Sequence, residues 1–437
     1  MFHNKKRTFE QHDNESINFY THSVDKLSLF KRLENNLDVD VCIIGGGLTG
    51  VSTALNLTNK GYKVALLEAR SVGWGASGRN GGQLGIGMRK DQVIIEKKLG
   101  MQHAKELWNL GIEAVDEVIK YIHEYKIDCN LQQGVMLCGT YPEDSKYFHN
   151  TIEHMYKNYN FNNYQYYDFN QIKEQINSKI YYSGLLNKKN YHINPLKFLY
   201  GLVKELVNLK VKIFENTIAL NIENTEDGVK VITEKGTITS KFVVVGCNGY
   251  LDNLLGKIKN KFMQINNYII ATEPIGEKNA RALIRNNYAV CDTRFIIDYY
   301  RFSEDWRMLF GGGETFTSTY LHDAKEIVSK RMLKVFPSLK KYKIDFYWGG
   351  TLAITVNRLP HFGSLLKDKV LFAHGYSGHG LALSTLAGKI ITEKISGFND
   401  RFNYLESIGH ISIPGGDLIR RPIYSCAIAY YKLRDLH

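Results

Sequence analysis

The first sharp pattern in the chain begins at Asp38. Residues 39–44 form a run of strand length that is apolar except at Asp40, and Gly45, Gly46 and Gly47 end it at once. Residues 48–60 then carry apolar side chains at helical spacing (Leu48, Val51, Leu55) until Gly61 stops them, and 63–67 is a second apolar strand closed by Glu68. Strand, tight turn, helix and strand in so short a span predict a parallel β-α-β unit with a right-handed crossover.

Downstream the pattern changes. A glycine-rich loop over 75–87 precedes a predicted helix over 102–125. Short alternating or apolar runs near 134–140, 211–214, 229–233, 265–272, 295–301 and 308–313 predict strands, several of them in a separate antiparallel or mixed sheet. Asn194 followed by Pro195 is a good N-cap and first residue for a helix to about 206. Residues 369–374 read as a strand and 381–395 as a helix, joined by a glycine turn.

Gly45-x-Gly47-x-x-Gly50 opens a helix directly after a strand, the context that turns this otherwise weak signature into a dinucleotide-binding turn. Gly45 permits the tight turn, Gly47 lets backbone approach a diphosphate, and Gly50 lets helix and strand pack closely. The helix start near Leu48 offers unpaired N–H groups to phosphate. Glu68 falls 18 residues after Gly50, where a carboxylate accepts hydrogen bonds from a ribose diol. NAD and FAD both fit. The stretch Gly75-Ala76-Ser77-Gly78-Arg79-Asn80-Gly81-Gly82-Gln83 favours FAD, since small residues let backbone lie flat against a large planar ligand while Ser77, Arg79 and Asn80 supply donors. The competing reading of that stretch is a flexible surface loop.

These motifs together, GGGLTG, LLEAR and GWGASGRNGGQ, resemble the D-amino-acid-oxidase-like FAD oxidoreductases, most closely the gamma-glutamylputrescine oxidase branch. The similarity extends along nearly the whole chain. It includes Asn18-Phe19-Tyr20-Thr21, Tyr299-Tyr300-Arg301, 309–313, Trp348-Gly349-Gly350, 358–363 and Gly375-Tyr376-Ser377-Gly378-His379-Gly380. The resemblance implies an α/β fold with an α+β second domain. A Rossmann-like FAD-binding domain (37–100, 190–255 and 345–400) is interleaved with a substrate domain on a mainly antiparallel sheet (101–189 and 256–344). An N-terminal segment (1–36) and a C-terminal segment (401–437) flank them. It also implies that the cofactor lies against Gly45, Gly47, Leu48, Thr49, Gly50, Glu68, Ala69, Arg70, Gly75, Ala76, Ser77, Gly78, Arg79, Asn80, Gly81, Gly82, Ile218, Gly378, His379, Gly380 and Leu381.

The second glycine turn leads into the helix near Leu381, so its amides can stabilise negative charge developing at the pyrimidine edge of a flavin as an oxyanion hole would. Amine oxidation needs a neutral nitrogen, not a strong base, and aromatic walls that desolvate the ammonium serve that need. Tyr299, Tyr300, Trp348 and Tyr376 are the aromatic candidates, with ordinary core as the alternative for each. Arg301 is a candidate for a substrate carboxylate, held by two parallel hydrogen bonds, or else a surface or ion-pair arginine. The expected catalytic set is therefore Tyr300, Arg301, Trp348 and His379. Relatives that attach flavin covalently use a cysteine near 351–355, and this chain has none there, so FAD is expected to be non-covalent. Sarcosine-type relatives place a lysine on the strand corresponding to 308–313; its absence here leaves dioxygen or another electron acceptor open.

Composition adds bounds. At 437 residues the chain exceeds what one core fills, which predicts two domains. The net charge of +12 has no dense basic block interleaved with aromatics, so no nucleic acid is expected. Six scattered cysteines form no ligand cluster, so no metal is expected and reduced thiols in a cytoplasmic protein account for them. The N-terminal 36 residues show no secretory pattern, and no apolar run approaches a membrane span. Beside the amine oxidase stand three alternatives: an amino-acid or sarcosine-like oxidase or dehydrogenase passing electrons to a quinone, a tRNA-modifying flavoprotein, and a flavin-binding protein without turnover.

Overall fold

A computed structural model describes residues 18–25, 27, 30–256, 258–315 and 323–412. Cys426 and most of the expected C-terminal segment lie outside these residues. Two sheets organise them. The first runs in the order His361–Leu365, Val370–His374, Thr237–Val245, Leu37–Ile44, Val64–Leu67 and Lys212–Phe214, with a hairpin of Asn221–Asn224 and Val229–Ile232 on Thr237–Val245. Leu37–Ile44 pairs in parallel with both Val64–Leu67 and Thr237–Val245, which in turn pairs in parallel with Val370–His374. These strands are buried on both faces, so alternate residues serve different cores. Val41, Ile43, Val64 and Leu66 join one apolar cluster, and Cys42, Ile44, Ala65 and Leu67 another.

The predicted helix after the glycine turn is Leu48–Asn59, and it packs against Gly380–Ile395. Small residues allow the approach: a Cβ on Gly388 would stand 2.5 Å from the Thr53 nitrogen, and the Ser52 hydroxyl donates to the Thr385 carbonyl at 2.7 Å. Asn194 caps Pro195–Asn208 as its sequence predicts, accepting from the Lys197 amide at 3.2 Å.

The second sheet runs Ile344–Thr355, Phe262–Thr272, Met308–Thr315, Tyr299–Phe302, Ala289–Asp292, Gln132–Gly139, Ser183–His192 and Gln83–Leu84, with Tyr164–Tyr167 added to Ser183–His192. Its pairings are antiparallel except between Ala289–Asp292 and Gln132–Gly139. The α/β fold with a largely antiparallel second sheet is as expected.

Three assignments differ. Ile344–Thr355, grouped by sequence with the first unit, pairs along its length with Phe262–Thr272 in the second sheet. Met101–Glu124, grouped with the second unit, packs on Gly380–Ile395 instead. Lys389 holds it there through Glu113 and Glu117 at 3.0 and 2.9 Å. Of the expected strand 295–301 only the last three residues are in a strand, Tyr299–Phe302. The residues before it are drawn into a loop by buried charge: Arg294 binds Asp292 and Asp298, and Arg331 binds Asp298 at 2.5 Å.

Candidate active site

The parallel strands of the first sheet set their ends side by side. Ile44 is in register with Val245, and Val245 with Phe372, so Gly45 and Gly246 follow side by side at one end of the sheet, and Gly375 comes just after the end of the neighbouring strand Val370–His374, where ligands of such folds bind. Gly45 has φ +109°, and a Cβ on it would lie 2.9 Å from the Gly246 oxygen. A Cβ on Gly50 would lie only 2.0 Å from the Gly45 oxygen. Glycine there lets the helix begin directly over the strand.

Glu68 closes the second strand. One carboxylate oxygen accepts from the Gly46 amide at 2.7 Å and the other from the Arg70 amide at 2.8 Å. Burial raises its pKa above the ordinary carboxylate value, and these amides oppose the rise. The Thr217 amide donates to the Glu68 carbonyl at 2.9 Å, which brings Ile218 alongside.

Three distant segments meet above the helix start. Ser77 Oγ accepts from the Leu48 amide at 2.9 Å, the Thr49 and Tyr376 hydroxyls lie 2.8 Å apart, and the Gly375 amide donates to Asn248 Oδ1 at 3.0 Å. Between them runs a cavity of about 480 Å³. Gly45, Gly47, Leu48, Thr49, Glu68, Ala69, Arg70, Gly75, Ala76, Ser77, Arg79, Asn80, Gly81, Ile218, Gly378, Gly380 and Leu381 all line it. A diphosphate-ready helix start, a carboxylate ending the second strand, and two small-residue segments along one cavity are what an adenine dinucleotide with a planar ring requires.

The remaining expected residues do not line the cavity. Gly50, Gly78 and Gly82 shape its walls from behind. A Cβ on Gly78 would lie 2.2 Å from the Gly73 oxygen, and one on Gly82 2.2 Å from the Ile193 oxygen. Tyr300 faces the opposite side of its strand. It is buried and stacked on Phe310 at 5.3 Å, with its hydroxyl donating to that of Tyr181 at 3.0 Å. Arg301 is only 2% exposed and each of its three nitrogens is engaged: by the Gly81 carbonyl at 2.8 Å, the Phe302 carbonyl at 3.2 Å and the Tyr20 hydroxyl at 3.1 Å. It fastens the glycine loop to the N-terminal aromatic segment and has no donor directed to a substrate in the cavity. Trp348 is fully buried, its Nε1 donating to the Arg79 carbonyl at 3.0 Å and its ring edge against Tyr20. His379 turns away from the cavity, its Nε2 lying 3.0 Å from the Gly85 carbonyl and 3.2 Å from that of Ile86. Burial, with Arg89 nearby, pushes its pKa down to about 4, so the ring is a neutral clamp between loop and helix start. These four are therefore corrected from catalytic candidates to supports of the cavity.

Of the aromatic candidates, Tyr299 and Tyr376 do line the cavity. The Tyr299 ring occupies the space left by two glycines, since a Cβ on Gly311 would lie 2.1 Å from its Cζ and one on Gly81 2.6 Å from its Cε2. Its hydroxyl donates to Asn267, and burial holds the phenol above its ordinary pKa. Sequence reasoning did not identify Arg89, Asn267, Glu314, Arg358, Leu352 or Asn248 as lining residues. Arg358 opens the motif at 358–363, and Asn248 follows the apolar run 242–245 that stops at Gly246; Arg89 and Glu314 carry no such signal.

The family described as "FAD dependent oxidoreductase" (DAO) matches residues 40–394. "Probable oxidoreductase OrdL" of Haemophilus influenzae is 37% identical over 403 residues, covering 91% of this chain and 92% of that protein. Gamma-glutamylputrescine oxidoreductase of Escherichia coli is 35% identical over 421 residues, covering 95% and 97%. Among solved structures, glycine oxidase from Geobacillus kaustophilus superposes with a TM-score of 0.72 at 17% identity, over 86% of this chain and 100% of that one.

Proposed function

Because the chain belongs to the DAO family of FAD-dependent oxidoreductases, we propose that it oxidises the amine of a substrate like gamma-glutamylputrescine, giving an imine that hydrolyses to aldehyde and ammonia. FAD, when bound, supplies the hydride acceptor, and dioxygen is the proposed final acceptor, reduced to hydrogen peroxide. The observation that carries this reading is a single cavity joining the dinucleotide turn, the loop from Gly75 to Gly81 and the helix start at Gly380 to the aromatic wall of Tyr299. The likeness to gamma-glutamylputrescine oxidoreductase along 95% of the chain supports the choice of donor.

Each lining group has a part in this account. The Gly47 amide and the first turn of Leu48–Asn59 face a diphosphate, Glu68 a ribose, and the start of Gly380–Ile395 the ring edge where negative charge gathers. Tyr299 and Tyr376 exclude water around the substrate nitrogen, lowering its pKa so that its lone pair is available. FAD is proposed to be held without a covalent bond. No cysteine stands at 351–355, and the lining thiol of Cys247 donates to the Ile44 carbonyl at 3.5 Å, beside the dinucleotide turn.

Product analysis tests the reading. With gamma-glutamylputrescine in air, aldehyde, ammonia and hydrogen peroxide are expected in equal amounts. Aldehyde and ammonia without peroxide would reassign the acceptor, and absence of all three would refute the proposal.

A further inference from the structure

The second-sheet side of the cavity carries charges that neither the dinucleotide nor amine oxidation uses. Arg89 and Glu314 both line it, and both are half-buried. Among the described residues neither side chain forms a hydrogen bond or ion pair, and none joins them to each other, although Glu314 lies within electrostatic reach of Arg89 and also of Arg358 and Arg331. Partly desolvated charges of opposite sign that share a cavity without pairing are costly unless something placed between them satisfies both.

Their backbones are firmly placed. The loop bearing Arg89 is held by His379 at the Gly85 and Ile86 carbonyls, and by Asn190, which accepts from the Ile86 amide at 2.9 Å. Behind it, a Cβ on Gly111 would lie 2.4 Å from Gly87, so the helix Met101–Glu124 leaves that loop no room to retreat. Glu314 is on the paired strand Met308–Thr315, close to the Tyr299 ring, which Gly311 of the same strand accommodates. The neighbouring Arg331 is committed to Asp298 and to the Ile296 carbonyl at 2.7 Å, and so is engaged elsewhere.

We propose that Arg89 and Glu314 together receive an α-amino-acid head group on the substrate, Arg89 taking its carboxylate and Glu314 its ammonium. This rests on the amine-oxidase reading and specifies the substrate class: an amine whose far end is a zwitterion. A guanidinium matches a carboxylate with two parallel hydrogen bonds, and a carboxylate across the cavity fixes which way the head group faces. The site also transfers to Arg89 the recognition that sequence alone assigned to Arg301.

The test uses FAD-loaded protein and three amines: gamma-glutamylputrescine, glutarylputrescine, which keeps the carboxylate but lacks the α-ammonium, and putrescine, which lacks both. Arg89→Ala is expected to raise KM for the first two about 10- to 100-fold relative to putrescine, with FAD content retained. Arg89→Lys, which keeps the charge and loses the fork, is expected to fall between. Glu314→Gln is expected to raise KM for gamma-glutamylputrescine alone, bringing it to the value for glutarylputrescine. Equal losses on all three amines, or unchanged KM in the Arg89 variants, would overturn the assignment. Binding of gamma-glutamylbutylamide, which has no amine to oxidise, is read from the shift of the flavin absorbance. Binding that Arg89→Ala abolishes supports the head-group site even if no amine is oxidised, whereas no binding by the unsubstituted protein overturns it.

Discussion

Thr49 and Tyr376, 327 positions apart in sequence, place their hydroxyl oxygens 2.8 Å from each other. Both side chains are buried, and burial holds the Tyr376 phenol above its ordinary pKa, so it stays protonated. The bond joins the first turn of the dinucleotide helix to the second glycine turn. Thr49→Val leaves the Tyr376 hydroxyl buried without that partner. The expected cost is about 1–3 kcal/mol of stability, together with weaker retention of FAD, checked by urea unfolding and by the flavin released on gel filtration.

Arg301 supplies a contrast between support and recognition. Arg301→Met strips partners from the Gly81 carbonyl and the Tyr20 hydroxyl. Unfolding free energy is expected to fall by about 3 kcal/mol, with KM for the amine unchanged in the folded fraction. A selective rise in KM at full stability would restore Arg301 as a substrate ligand.

Gly311 is where a single methyl group should reach the chemistry. Alanine there would drive a Cβ to 2.1 Å from the Tyr299 ring, displacing the aromatic wall. Gly311→Ala is expected to lower kcat/KM by about 100-fold. Tyr299→Phe, which keeps the ring and loses only the bond to Asn267, is expected to remain close to the unsubstituted enzyme in the same assay.

His379 gives a pH signature. In the unfolded chain its imidazole takes a proton near the ordinary value of 6.5, whereas the folded ring resists until about 4. Between those values the unfolded state binds more protons, so this residue makes stability fall as pH is lowered and contributes no change above about 6.5. His379→Gln should show a shallower loss of melting temperature from pH 6.5 down to 4 than the unsubstituted protein.

How much of the site was legible depends on how local its signal is. The turn at Gly45, Gly47 and Gly50 and the carboxylate of Glu68 were readable because backbone constraints fix those residue types at fixed spacings. The phase of Tyr299–Phe302 was not. Both faces of that strand are buried, so nothing in the sequence says that Tyr299 meets the cavity while Tyr300 enters the core behind it. Trp348 and Arg301 mislead for a related reason: a large or charged side chain in a motif reads as a ligand contact, whereas here its partners are protein groups. Arg89 and Glu314 carry no motif at all. Only tertiary packing brings their loop and strand to one cavity.

Anaerobic titration of the purified, FAD-loaded protein with gamma-glutamylputrescine tests the central claim most directly. The account predicts that one equivalent of the amine per bound flavin bleaches the visible flavin band. A band that persists in excess amine, yet disappears on adding dithionite, would contradict it.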